Sequence, residues 1–185
     1  MATLPKHMTL EEFLALPEEK PALEYIDGRV TQKVPPLGMH AVLQVGLCAL
    51  FNRSGMPGKL WMALSELRTT YAAQSRVPDV AVYLWERIPR GERGRIGDDF
   101  FVPPDIAIEI ISPGQRVNRM VERCLWFVAN GVRVSLLVDP YHDTVHVCRP
   151  GQAPTVLREP ETIDLRDVLP GFTLSVAEIF STLVL

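Results

Sequence analysis

Residues 76–84 read RVPDVAVYL and residues 103–113 read PPDIAIEIISP. Both are apolar, strand-like runs, and each carries an acid, Asp79 in the first and Glu109 in the second. Side chains alternate between the two faces of a strand. In the second run Asp105, Ala107, Glu109 and Ile111 therefore share a face opposite Ile106, Ile108 and Ile110. In the first, Val77, Asp79, Ala81 and Tyr83 share a face opposite Val80, Val82 and Leu84. Each acid has an alanine as same-face neighbour, which leaves room for a ligand. A buried carboxylate without partners is costly, so each must find a cation, hydrogen-bond donors or a raised pKa. If the strands are adjacent, the two acids could share one divalent ion. Magnesium suits such a pair, taking one or two carboxylates and completing its shell with water and phosphate. Otherwise each acid pairs with an arginine or lies at the sheet rim.

Outward from these strands the pattern alternates helices and strands. Thr9 and Glu12 form a capping-box signature at the head of a short helix that Pro17 ends. The stretch LEYIDGRVTQKV reads as a hairpin about Asp27-Gly28. Val42, Val45, Leu47, Leu50 and Phe51 are spaced for a buried helix closed by Gly55. KLWMALSELRTTY reads as one or two strands, and the polar segment WERIPRGERGRIGDD as a loop. A helix from about Gln115 to Asn130 follows Glu109's strand, with Val117, Met120, Val121, Cys124, Leu125 and Val128 on its apolar side. VRVSLLVDP and DTVHVCRP are further strands, and a short helix begins after Ser175. This order predicts an α/β (α+β) fold: a central mixed sheet flanked by helices, with an N-terminal helix and hairpin. The helix from Gln115 serves as crossover between two parallel strands.

The chain has 185 residues, 47% hydrophobic and 22% charged, with a net charge of −3. That suits one globular domain over residues 1–185. It supplies no overall basic field, so any nucleic-acid contact must be local. Cys48, Cys124 and Cys148 are scattered and odd in number, which argues against a disulfide framework and for a reducing cytoplasm. The N-terminal stretch lacks the apolar run of a signal peptide, and no apolar run is long enough to cross a membrane. The expected location is cytoplasmic, with no membrane partner.

The stretches LEYIDGRV, RVPDVAVY, DIAIEIISP and GVRVSLLVDP, in that order, resemble the Uma-two family of restriction-endonuclease-like proteins, in the PD-(D/E)XK nuclease superfamily. The resemblance covers nearly the whole chain, to the final LPGFTLSVAEIF. It implies a restriction-endonuclease-like core and a magnesium- or manganese-dependent endonuclease acting on DNA. It makes Asp79 and Glu109 the metal ligands and Glu24 a further acid near the site. The superfamily's lysine normally sits two residues after the glutamate, where this chain has Ile111. Relatives that carry it on the following helix match Arg123 here. Arginine can hold a phosphate or stabilise its transition state, but with a pKa above about 12 it cannot deprotonate water. This favours an alternative in which a degenerate nuclease fold binds nucleic acid or a protein partner without cleaving. A homo-oligomer is compatible with either reading.

Arg116, Arg119 and Arg123 share one helical face, which is a phosphate-facing stripe or, for Arg116, a solvated one. Arg87, Arg90, Arg93 and Arg95 are interleaved with acids, as in an ordinary soluble loop. His142 and His146 lie in a turn and strand where a spacing of four does not converge. His40 reads as a helix cap or a substrate contact. Ser112 reads as a strand terminator with no histidine placed as its base.

Overall fold

The computed structural model describes residues 8–184. Thr9 caps helix α1 (Leu10–Leu14) through the reciprocal bonds of a capping box, Glu12 N–H to Thr9 Oγ1 and Thr9 N–H to Glu12 Oε2. Strands β1 (Leu23–Ile26) and β2 (Arg29–Gln32) form a hairpin. Its turn residues Asp27 and Gly28 both take positive φ, the conformation a tight two-residue turn demands. Helix α2 (Gly38–Gly55) follows, then β3 (Trp61–Ser65), β4 (Thr69–Tyr71), β5 (Gln74–Arg76) and β6 (Val80–Leu84). After the 85–105 loop come β7 (Ile106–Ile110), α3 (Val117–Ala129), β8 (Val134–Asp139) and β9 (Thr144–Cys148). The C-terminal part holds β10 (Thr155–Leu157), β11 (Thr162–Asp164), β12 (Thr173–Ser175) and α4 (Val176–Ser181).

Six strands form the main sheet in the order β10-β9-β8-β7-β6-β3. Only β7 and β8 run parallel, and α3 is the crossover between them, as the sequence predicts. One sheet face, with Val82, Ile106, Ile108 and Leu136, packs on Leu43, Leu47 and Phe51 of α2 and on the C-terminal segment. The other face receives α3 through Met120, Cys124, Phe127 and Val128. A second sheet, β2-β1-β5-β4, carries the hairpin, and β11 and β12 pair as a small ribbon. Among the described residues no helix is long and apolar enough to cross a membrane.

Two expectations change and one strand is not foreseen in the sequence. In α2 the buried face is Leu43, Leu47 and Phe51, while Val42 and Val45 are exposed. This helix is apolar nearly all round, so periodicity alone does not identify its inner side. The alanines beside the acids do not leave open space. Ala107 packs against Tyr71, Phe127 and Val132, and Ala81 against Met62, Tyr83, Ile88 and Phe100. Finally, β5 lies in QSR, a polar stretch with no strand pattern. It is held by pairing with β1 and β4 in place of apolar alternation.

Candidate active site

Asp79 immediately precedes β6 and Glu109 lies on β7. These strands pair antiparallel with Val80 opposite Ile108, so the register places Asp79 opposite Glu109. Both are almost wholly buried. The backbone N–H of Ile110 donates to Asp79 Oδ2 at 2.7 Å, tying the first acid to the second acid's strand. Glu24, on β1, approaches from the second sheet. Its Oε1 accepts the N–H of Val77 at 2.6 Å. Three acids from separate parts of the chain thus meet at the seam between the two sheets.

Two cations hold them. Arg123 projects from the sheet-facing side of α3. Its Nε donates to Glu109 Oε1 at 2.7 Å, and its terminal nitrogens donate to Glu24 Oε2 at 2.9 Å and Oε1 at 2.6 Å. Lys33 enters just after β2. Its Nζ donates to Asp79 Oδ1 at 2.6 Å and to the Val77 carbonyl at 2.9 Å. Arg116 and Arg119, on the same nominal stripe as Arg123, are exposed.

His40 is a helical residue within α2, and the preceding N-cap, Leu37, has no side-chain cap bond. The capping expectation is therefore corrected. His40 Nδ1 lies 2.9 Å from Ser112 Oγ, and Nε2 lies 3.4 Å from Asp79 Oδ1. A histidine does stand beside Ser112, contrary to the sequence expectation. Gln44, one helical turn on, donates from Nε2 to the Asp79 carbonyl. Together His40 and Gln44 make α2 a support for the Asp79 segment. Among the loop arginines, Arg87 is an anchor, donating to Asp105 Oδ1 at 2.6 Å. His142 is exposed and pairs with Asp139.

The acids differ in proton affinity. Burial pushes Asp79 up, but the hydrogen bond from His40 and the Lys33 ammonium outweigh it and hold the carboxyl down at about 2. Glu24, despite burial, is lowered by the Arg123 fork and the Val77 amide. Glu109 is raised to about 7, because complete burial and the neighbouring charges of Asp79 and Glu24 exceed what Arg123 supplies. Arg123 serves Glu24 with two nitrogens and Glu109 with one, which accounts for the opposite directions. Burial depresses Lys33, but Asp79 and Glu109 raise its pKa overall, so it is an ammonium.

The sequence matches the Uma2 (Uma-two) family model, described as "Putative restriction endonuclease", over residues 10–177. The chain belongs to that family. A crystal structure described as "a putative nuclease belonging to DUF820", from Anabaena variabilis ATCC 29413, superposes with a TM-score of 0.89 at 38% identity, covering 96% of this chain and 99% of that one. None of the curated proteins matches. The mixed sheet and its flanking helices thus have the nuclease-like architecture expected of an Uma2 member. Lysine is absent from the second half of this Uma2 chain, and the ammonium beside the acids comes from Lys33. No pattern around Lys33 marks it, because its place depends on the second sheet folding over the first.

Among the described residues no group of three or more His, Cys, Asp or Glu side chains is arranged to hold a metal ion. The oxygens that could serve are those of Asp79, bonded by Lys33 and the Ile110 amide, and of Glu109, whose Oε1 is bonded by Arg123, while both oxygens of Glu24 are engaged by Arg123. Two buried carboxylates, one of them holding a proton near neutrality, suit a hard divalent cation that keeps most of its shell as water and phosphate.

Proposed function

We propose that this Uma2 protein is a divalent-metal-dependent endonuclease that hydrolyses DNA phosphodiester bonds. The observation that carries the reading is the placement of Asp79 opposite Glu109 on paired strands, with Lys33 and Arg123 converging on them from other elements. Asp79 and Glu109 would hold magnesium or manganese. Such an ion supplies charge neutralisation of the phosphate and activation of the attacking water. Lys33, fixed as an ammonium between Asp79 and the Val77 carbonyl, keeps Asp79 ionised and offers a donor to a phosphate oxygen. Its ion pair with Asp79, in the field of Glu109 and Glu24, makes it a poor base and a good electrostatic clamp. Glu24 orients Arg123, whose guanidinium stabilises negative charge on the phosphate once it is released from Glu109.

A second reading has one specific observation behind it. Arg123 and Lys33 already satisfy the acids, so the cluster is a closed ionic network that would also stabilise a fold which binds DNA without cutting it. Plasmid nicking separates the two. Wild type with magnesium or manganese should convert supercoiled to open-circular DNA, and Asp79→Ala and Glu109→Ala should not. Wild type inert with either metal, yet retaining DNA, would favour the binding reading.

A further inference from the structure

Arg76, the last residue of β5, is only 7% exposed, yet among the described residues no carboxylate lies within ion-pairing distance of it. Its Nε donates to Gln74 Oε1 at 2.8 Å, and Gln74 in turn donates to Asp27. Its guanidinium carbon sits 3.8 Å from the centroid of the Trp126 ring, on α3. Stacking occupies a guanidinium's face and leaves its edge donors available in the plane. With Nε taken by Gln74, the two terminal nitrogens have no acceptor among the described residues.

Arg123 makes the contrast. Every one of its nitrogens donates to a carboxylate, so it must give up an acid before it can meet an anion. Both guanidiniums flank Phe127, at 5.3 Å for Arg123 and 6.0 Å for Arg76. Arg76 therefore shares the Phe127 ring with Arg123, the cation that holds Glu24 and Glu109. Arg76 also adjoins Val77, whose amide and carbonyl are held by Glu24 and Lys33.

A second observation points to the same place. The Tyr71 hydroxyl is buried and has no hydrogen-bond partner, the one such side-chain atom among the described residues. Its ring lies 5.5 Å from Trp126, and the phenol feels the fields of both Arg76 and Arg123. An orphan hydroxyl is costly unless something accepts from it. The Arg76 guanidinium, whose terminal nitrogens have no acceptor among the described residues, packs on the same Trp126 ring and supplies the other half of an anion site.

We propose that Arg76, seated on Trp126, and the Tyr71 hydroxyl form a phosphate subsite, which takes a backbone phosphate adjacent to the one held at Asp79 and Glu109. The subsite rests on the nuclease reading for its nucleic-acid ligand, but its anion chemistry stands on Arg76, Tyr71 and Trp126 alone. Divalent metal is not needed to fill it.

Two probes in metal-free buffer test this. The first is a fluorescein-labelled DNA oligonucleotide followed by anisotropy across a salt series. Arg76→Gln should weaken binding about tenfold and lower the slope of log affinity against log salt by about 1. Tyr71→Phe should weaken it less, without loss of fold, since that hydroxyl has no bond to lose. The second probe is inorganic phosphate read through tryptophan fluorescence, with Trp126→Phe identifying the reporter. A phosphate-dependent change should be present in wild type and absent in Arg76→Gln. If phosphate binds through Arg76 but the oligonucleotide does not bind, the subsite stands and the nuclease reading falls. If neither probe distinguishes wild type from Arg76→Gln and Tyr71→Phe, the subsite is wrong.

Discussion

The Lys33 ammonium lies 2.6 Å from Oδ1 of Asp79, a residue 46 positions further along the chain. This contact joins the hairpin of the second sheet to the first strand of the acid pair. It gives the site a lysine despite isoleucine at the position two residues after Glu109. Lys33→Met should lower cleavage by roughly ten- to a thousandfold, the range for losing one charge-stabilising group. Lys33→Arg should retain part of it. Plasmid nicking rates measure both, and a fully active Lys33→Met would remove Lys33 from the mechanism.

Arg123 bridges Glu24 and Glu109 with three nitrogens. Lysine has one nitrogen and cannot span both acids. Arg123→Lys should therefore reduce stability while keeping cleavage within about tenfold of wild type. Arg123→Ala should leave Glu24 buried without its main counter-charge and let Glu109 hold its proton to higher pH, at a cost of about 3–5 kcal/mol, and lose cleavage as well. Urea unfolding alongside nicking separates the effects. Equal stability for all three proteins would show that the network contributes little.

The acid pair of the candidate site was legible before the fold was known because it follows from strand alternation. Asp79 and Glu109 lie in apolar runs, and those runs prove to be neighbours. Glu24 and Arg123 were singled out only by the resemblance to the Uma-two family, not by any local pattern. Lys33 and Arg76 were not legible, and His40 was legible only without its partners Ser112 and Asp79, since each reaches the site through packing between elements distant in sequence. Polar β5 was illegible for a related reason, as its strand conformation is imposed by β1 and β4. The exposed side of α2 misled because Val42 and Val45 are as apolar as Leu43 and Leu47.

Glu109 sets a pH dependence of unusual sign. Its pKa is near 7 in the folded protein against an ordinary 4.5. Between those values the folded state holds a proton that the unfolded chain has released, so stability falls as pH rises from 4.5 to 7 and levels off above. Asp79 and Glu24, held low, act in the opposite direction but only below about pH 4.5. Glu109→Gln should remove about 3 kcal/mol of this loss. In metal-free buffer the variant should thus gain on wild type between pH 4.5 and 8. Urea midpoints at several pH values check this, and parallel curves for the two proteins would contradict it.

Gly55 closes α2 against Trp61. A Cβ there would stand 2.3 Å from Trp61 Cδ1 and 2.5 Å from its carbonyl oxygen. Trp61 cannot simply swing aside, because its indole N–H donates to the Phe51 carbonyl at 3.0 Å. Alanine ordinarily favours a helix by about 1 kcal/mol over glycine, but overpacking here costs more, about 1–3 kcal/mol. Gly55→Ala should be net destabilising, read as a lower urea midpoint with an unchanged slope. A higher midpoint would mean the Trp61 contact gives way.

Divalent metal should stabilise the folded protein, because its proposed ligands come together only there. At a concentration a hundredfold above the dissociation constant the gain is about 2.7 kcal/mol. Magnesium or manganese should therefore raise Tm in a concentration-dependent way in wild type and not in Asp79→Asn or Glu109→Ala. Glu109 adds a second signature. Since it holds a proton up to about pH 7, metal must displace that proton, so affinity should fall about tenfold for each pH unit below 7. Calorimetry in two buffers of different ionisation enthalpy should show close to one proton released at pH 6 and few at pH 8. Arg123 competes for the same carboxylate, so Arg123→Lys should bind metal more tightly than wild type. A Tm that ignores both metals at millimolar concentration, at pH 8 where Glu109 is ionised, would mean that Arg123 and Lys33 keep the acid pair closed.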